Sequence, residues 1–224
     1  MSAHFSADYV WLVVSSPSSF QIDFAKAKAL GITGLYYDRS VTLAQLNVAR
    51  QNMPKVGLFE TANTTTEDPW AVAKRINDDR LRLCAGDNGQ TPILLDFEPS
   101  AGATPFWLDF ITQYRAFMPG RVTDFTPEPF KATALPVADL LNARFDVRVQ
   151  SYFGDMSPVD AWEAGLDWQN GLNGVGFPPD RIRMFFDAGR VNKPPIFYQG
   201  KVVRKLLGGT CLWNANLLRE AGLI

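Results

Sequence analysis

Two carboxylates one residue apart, Asp96 and Glu98, sit in the run Pro92-Ile93-Leu94-Leu95-Asp96-Phe97-Glu98. Side chains alternate along a strand, so Leu94, Asp96 and Glu98 share one face while Ile93, Leu95 and Phe97 share the other. With the apolar set turned to a helix layer, both acids project to the opposite side. Burial and mutual repulsion there would raise at least one carboxyl's pKa, which suits a general acid working near neutrality beside an ionised partner. The bland alternative is a pair neutralised by Arg or Lys from neighbouring strands. Further acids follow apolar runs at Asp38, Glu60, Asp155 and Asp187. For Asp155 and Asp187, turn and cap roles are the ordinary use of aspartate.

Other chemistries are hard to build here. His4 is the single histidine and lies in the N-terminal arm, which removes His-dependent triads and His-rich metal sites. Cys84 and Cys211 match no zinc spacing and read as two buried thiols or, at most, one disulfide. Twenty-two basic residues stand against 23 acidic ones, a net charge of −1, without the basic excess that phosphate neutralisation needs. Nucleic acid is not an expected partner. Apolar runs such as Tyr9–Val14 fall far short of a membrane span of about 20 residues, and no Sec-type leader pattern opens the chain.

The elements that must position the acids alternate. Tyr9–Val14 is a continuous apolar run expected to be a strand buried on both faces, and a helix is expected from Phe20 to Leu30 with Gly31 at its C-terminal stop. Gly34–Asp38 follows as a second strand, Thr42–Asn52 as a helix, and Val56–Glu60 as a third strand. Asp68-Pro69 opens a helix toward Leu83, Pro92–Glu98 is the fourth strand, and Thr104-Pro105 repeats the cap-plus-proline device. Trp107, Ile111, Tyr114 and Met118 then form a helical stripe that Pro119-Gly120 ends.

A fifth strand falls at Val122–Phe125 or Phe130–Leu135, the second being preferred. Val137–Ala143 reads as a helix, Val147–Phe153 as a sixth strand, and Ser157–Asp160 as the start of a helix carrying Trp162 and Leu166. Ile182–Phe186 and Thr210–Trp213 supply strands seven and eight, with a long loop and short helix expected in Ala188–Gly208. At 224 residues and 46% apolar composition, this predicts one domain over residues 1–224: an α/β (β/α)8 TIM barrel, irregular around strand five. An open doubly wound sheet is the alternative, weakened by the lack of a Gly-rich phosphate loop after the first strand.

Active sites of such barrels lie at the C-terminal strand ends, which places Asp38, Glu60, Asp96 and Glu98 at the mouth. Tyr36 or Tyr37, Phe59, Tyr152 and Trp213 fall at the same level, where rings could form platforms for sugar faces, although core packing accounts for any one of them. Asp38, Glu60, Tyr37, Tyr152 and Trp213 are therefore the candidate substrate-binding residues. A Mg²⁺ or Ca²⁺ site on Asp38, Glu60, Asp96 and Glu98 is a further alternative.

At this point the residues resemble a known family. Leu12-Val13-Val14-Ser15-Ser16, Gln21–Ile32 and Leu95-Asp96-Phe97-Glu98 look like the opening and the Asp-x-Glu strand of family 25 glycoside hydrolases, the lysozymes that cleave peptidoglycan. The resemblance spans about the first 100 residues and extends to glycoside-hydrolase-like barrels of phage and actinobacterial proteins. It implies Glu98 as proton donor to the glycosidic oxygen and Asp96 as the carboxylate that orients water or stabilises an oxocarbenium-like transition state, without metal or other cofactor. One departure stands out: the family places an aspartate at the end of strand one, where this chain has Val13, Val14 and Ser15. Two expectations follow. The first is a hydrolase of cell-wall or surface polysaccharide. The second is a non-catalytic barrel serving as a virion tail, structural or surface-binding part in contact with other virion proteins. Both imply an extracellular or virion-associated protein without its own Sec signal, cytoplasmic until lysis if phage-encoded.

Overall fold

The computed structural model describes residues 10–17, 20–84, 91–98, 103–118, 123–126, 136–143, 145–150, 170–178, 182–187, 197–198, 201–202, 210–213, 215–220 and 222–224. Four parallel strands, β1 (Val10–Val14), β2 (Gly34–Asp38), β3 (Lys55–Asn63) and β4 (Ile93–Glu98), pair in sequence order as a half-barrel. Helices α1 (Phe24–Ala29), α2 (Leu43–Asn52), α3 (Pro69–Leu83) and α4 (Thr104–Phe117) alternate with them. Parallel pairing continues through β5 (Thr123–Thr126), β6 (Phe145–Gln150) and β7 (Ile182–Asp187), with α5 (Val137–Asn142) and a helical segment at 170–174, α6, between them. After the short pair β8 (Phe197–Tyr198) and β9 (Lys201–Val202), β10 (Thr210–Trp213) joins β7 to β1 and closes the strand order, and α7 (Ala215–Glu220) follows. The fold is thus mixed α/β with its parallel strands in barrel order. A complete eightfold alternation is not seen among the described residues, since those between β7 and β10 hold only the antiparallel β8–β9 pair.

Local chemistry sets the helix starts. The Asp23 carboxylate accepts the Lys26 N–H at 3.0 Å, so α1 begins after it and not at Phe20. Thr42 and Gln45 form a reciprocal capping box on α2, and Asp68 accepts the Ala71 N–H at 2.8 Å ahead of Pro69 on α3. Gly31 takes a φ of 88°, the left-handed conformation that its place after α1 demands. On α4, Thr104 is the first helical residue and not the cap. Ala103 precedes it without a side-chain bond, since its methyl group carries no acceptor, and Pro105 lies within the first turn.

Three expectations are corrected. The fifth strand is Thr123–Thr126, so the Val122–Phe125 alternative is the nearer one: Phe125 is fully buried beside Trp107 and Phe145, as the preferred run would have needed to be. The sixth strand is Phe145–Gln150, drawn back to Phe145 by the burial of that ring against α4. Within Ala188–Gly208 the described residues include a strand pair, which takes up Lys201 and Val202. The helix expected from Ser157 lies outside the described residues.

Alternation divides the core into two layers. Val10, Leu12, Val14, Leu35, Tyr37, Leu58, Ile93, Leu95 and Phe97 pack with the helices in one apolar cluster. Trp11, Val13, Tyr36, Phe59 and Leu94 are equally buried but lie outside that cluster, on the lumen side. Parallel neighbours in register share a face, so a large lumen ring needs a neighbour without a side chain. Gly34 is the register partner of Trp11, and Gly57 that of Tyr36. Trp11 and Tyr36 stack with centroids 4.3 Å apart. A Cβ on Gly57 would lie 2.6 Å from the Pro92 carbonyl oxygen and 2.7 Å from the Tyr36 ring. Gly57→Ala is therefore expected to destabilise by about 1–3 kcal/mol or more, because the Pro92 backbone carbonyl, which accepts the Leu58 N–H at 3.0 Å, cannot yield as a side-chain tip can. A urea-unfolding midpoint equal to wild type would refute this packing of the lumen.

Candidate functional site

The acid pair occupies the lumen side of β4. Ile93, Leu95 and Phe97 are fully buried in the helix-facing cluster, leaving Leu94, Asp96 and Glu98 on the other face. Leu94 is fully buried, Asp96 part-exposed and Glu98 exposed, so this face rises from a packed floor to an open rim. β3 supplies the adjoining wall: Thr61 is in register with Asp96 and Asn63 with Glu98, and both β3 residues are exposed. The Thr64 N–H donates to the Glu98 carbonyl at 3.1 Å and extends the pairing past the end of the strand. Among the described residues no cation forms an ion pair with Glu98.

Asp38 ends β2 in register with Phe59. Its Oδ1 accepts the Ser40 N–H at 2.9 Å and the Ser40 hydroxyl at 2.6 Å, a turn-closing role at the corner into α2. Tyr37 is not at the mouth. It is 1% exposed in the helix-facing cluster with Phe20 edge-on at 5.7 Å, and burial drives its phenol well above the ordinary range. The tyrosine on the lumen side is Tyr36, buried in the floor. Trp213 ends β10 in register with Asp187, and Tyr152 lies outside the described residues.

Glu60 is the largest correction. The sequence suggests a strand ending there, but β3 runs on to Asn63, so Glu60 falls within it on the face of Leu58 and Ala62, toward the helices. It has no exposed surface, and neither carboxyl oxygen has a hydrogen-bond partner. Desolvation pushes its pKa up to about 8. Asp79 and Asp38 add to the rise, and Arg75 and Arg39 partly offset it. The desolvation expected for the Asp-x-Glu pair thus falls on this third acid. Among the described residues no three acids converge as metal ligands, so the four-acid cation site is not formed.

A polar clamp at the β3–α3 corner escaped the sequence reading. Arg75 Nη1 pairs with Glu67 at 2.6 Å and Nη2 donates to the Thr61 carbonyl at 2.5 Å. Glu67 in turn accepts the Asn63 N–H at 2.6 Å. Partial burial raises the Glu67 carboxyl, but the Asn63 bond and the Arg75 charge outweigh it and hold the group below its usual range.

No family model matches the sequence, and no curated protein matches it. Solved structures do resemble the fold. A GH18 chitinase from Pseudoalteromonas aurantia superposes with a TM-score of 0.56 at 13% identity, over 96% of this chain and 100% of that one. An oxaloacetate acetylhydrolase gives 0.51 at 12% identity, over 97% of this chain and 79% of that one. No helix among the described residues is long and apolar enough to cross a membrane. At these identities the likeness establishes a barrel-like α/β fold, one that a glycoside hydrolase also uses.

Proposed function

We propose that the rim formed by β3 and β4 cleaves a glycosidic bond in a peptidoglycan-like polysaccharide, with Glu98 as general acid and Asp96 as its partner carboxylate. The observation that carries this reading is the exposure of Glu98 and part-exposure of Asp96 on the lumen side, one residue apart, above a floor of Trp11, Tyr36 and Phe59. The resemblance of Leu95–Glu98 to the family 25 Asp-x-Glu strand and the chitinase among the structural neighbours support the same class. In this reading Glu98 donates its proton to the leaving oxygen, while Asp96 stays ionised and orients water or stabilises positive charge on the sugar ring.

A second reading is favoured by a specific observation. β1 ends at Val14, buried against the helices, with no acid at its end, and Glu98 stands exposed at the rim. A barrel that binds surface polysaccharide without cleaving it, as part of a virion tail, fits those features. Release of reducing ends from peptidoglycan and chitin-type polymers separates the two. Hydrolysis predicts turnover that falls about 10²–10⁴-fold in Glu98→Gln. Equal inertness of wild type and variant across the panel, with binding retained, leaves the binding reading.

A further inference from the structure

A second concave surface lies on the helix side, apart from the rim. The chain entering α1, the first two turns of α2 and the end of α7 enclose a groove of about 730 Å³, within the roughly 300–1,000 Å³ that small-ligand sites occupy. Phe20 and Ile22 are buried in its wall, and the half-buried Phe24 and the exposed Val48 add apolar surface. Its polar groups are not committed elsewhere. Lys26 and Arg219 line it, and neither has an ion pair among the described residues. Gln45 accepts the Thr42 N–H and hydroxyl on its Oε1, which leaves its amide nitrogen as a donor toward the groove's ligand. Asp23 caps α1 through Oδ1 alone.

These groups select the occupant. Lys26 and Arg219 stand with Asp23 around one groove, so an ion of either sign meets a like charge there. A wholly apolar chain would take the amide and charged groups out of water without replacing their hydrogen bonds. A neutral chain of sugar rings suits both kinds of surface: its C–H faces lie on phenylalanine, and its hydroxyl and acetamido groups bond to carboxylate, amide and guanidinium. We propose that the α1–α2–α7 groove is a second binding site, distinct from the Asp96–Glu98 rim, for one or two rings of an N-acetylated polysaccharide, and that it holds the polymer while the rim engages another stretch. The choice of polysaccharide rests on the rim reading, whereas the groove and its lining do not. Two weak sites on one chain multiply retention on a long polymer without a new contact at either.

The test titrates the ¹⁵N-labelled whole chain with soluble N-acetylglucosamine oligomers and, in parallel, with decanoate, using the Glu98→Gln background so that turnover does not consume the probe. The Lys26, Gln45 and Val48 amides should shift saturably at about millimolar sugar, as a set separate from the Thr61 and Asp96 amides of the rim. Phe24→Ala should remove the groove shifts and lower retention on insoluble chitin or peptidoglycan about tenfold. Should that variant not fold, Arg219→Ala, at an exposed position, should weaken the same shifts about fivefold. Rim shifts without groove shifts overturn the proposal and leave the rim reading standing. Groove shifts alone uphold the site and count against the rim, and silence at both overturns both. Decanoate moving the groove amides where the sugar does not, or groove shifts that persist unchanged in both variants, also overturns the proposal.

Discussion

Glu60→Gln should unfold at higher urea than wild type above pH 8 and at nearly the same urea near pH 4.5. The unfolded carboxyl ionises around 4.5, whereas in the folded chain desolvation holds it protonated to about 8. A carboxyl whose folded pKa is raised lowers stability: the cost is absent below 4.5, grows with pH between the two values, and is complete above 8. At about 1.4 kcal/mol per unit, the difference amounts to roughly 3 kcal/mol at pH 7 and roughly 5 kcal/mol above the folded pKa, as an order of magnitude. Glutamine keeps the shape and never ionises, so it removes the pH-dependent part. Its amide is left as short of partners as the protonated acid, which makes the variant near neutral in acid. Glu67 works in the opposite sense, since its lowered pKa adds stability that is lost as pH falls. That contribution is small for a pair exposed by a quarter to a third, and it is common to both proteins. Parallel stability-against-pH curves for wild type and Glu60→Gln would show that Glu60 does not ionise from a buried, unpartnered site.

How far the sequence reached differs between the fold and the site. The starts of α2 and α3 were legible because Thr42 and Asp68-Pro69 act through bonds to their own backbone, and no distant residue has to be known. β1, β2 and β4 were legible because their apolar runs are bounded by turn residues, and alternation alone separated Asp96 and Glu98 from Phe97. β5 was less so: with prolines at 127, 129 and 136, the chain carries two short candidate runs, and only packing of Phe125 against Trp107 and Phe145 chooses between them. The mouth was misread at Glu60 and Tyr37 for one reason. Both were assigned by closeness to a strand end, whereas parity decides the face, and parity needs the strand's true length. β3 extends three residues beyond Glu60, and Leu58, Glu60 and Ala62 then share the helix side. The Arg75–Glu67–Asn63 clamp was illegible because its partners come from a strand, a loop and a helix whose juxtaposition only the fold supplies.

The same parity gives the last large effect, a contrast between neighbours on β4. Phe97→Ala should cost about 3–5 kcal/mol of unfolding free energy, while Glu98→Ala should change it by about 0.5 kcal/mol or less. Phe97 is fully buried, with ring centroids 5.0 Å from Phe110, 5.4 Å from Trp107 and 5.9 Å from Phe106. Its removal leaves a cavity against three rings of α4, and rings that also pack on one another cannot all move to fill it. Glu98, one residue on, is exposed and without an ion pair among the described residues, so its truncation removes only solvated atoms. Phe97→Ala should also blur the register that sets Asp96 beside Thr61, and whatever binding or turnover the rim has should fall with it while Glu98→Ala stays well folded. Urea unfolding of the two variants side by side decides the matter. Equal costs, or a larger cost at Glu98, would mean that β4 is turned by one residue and that its carboxylates face the helices, where neither could meet a sugar.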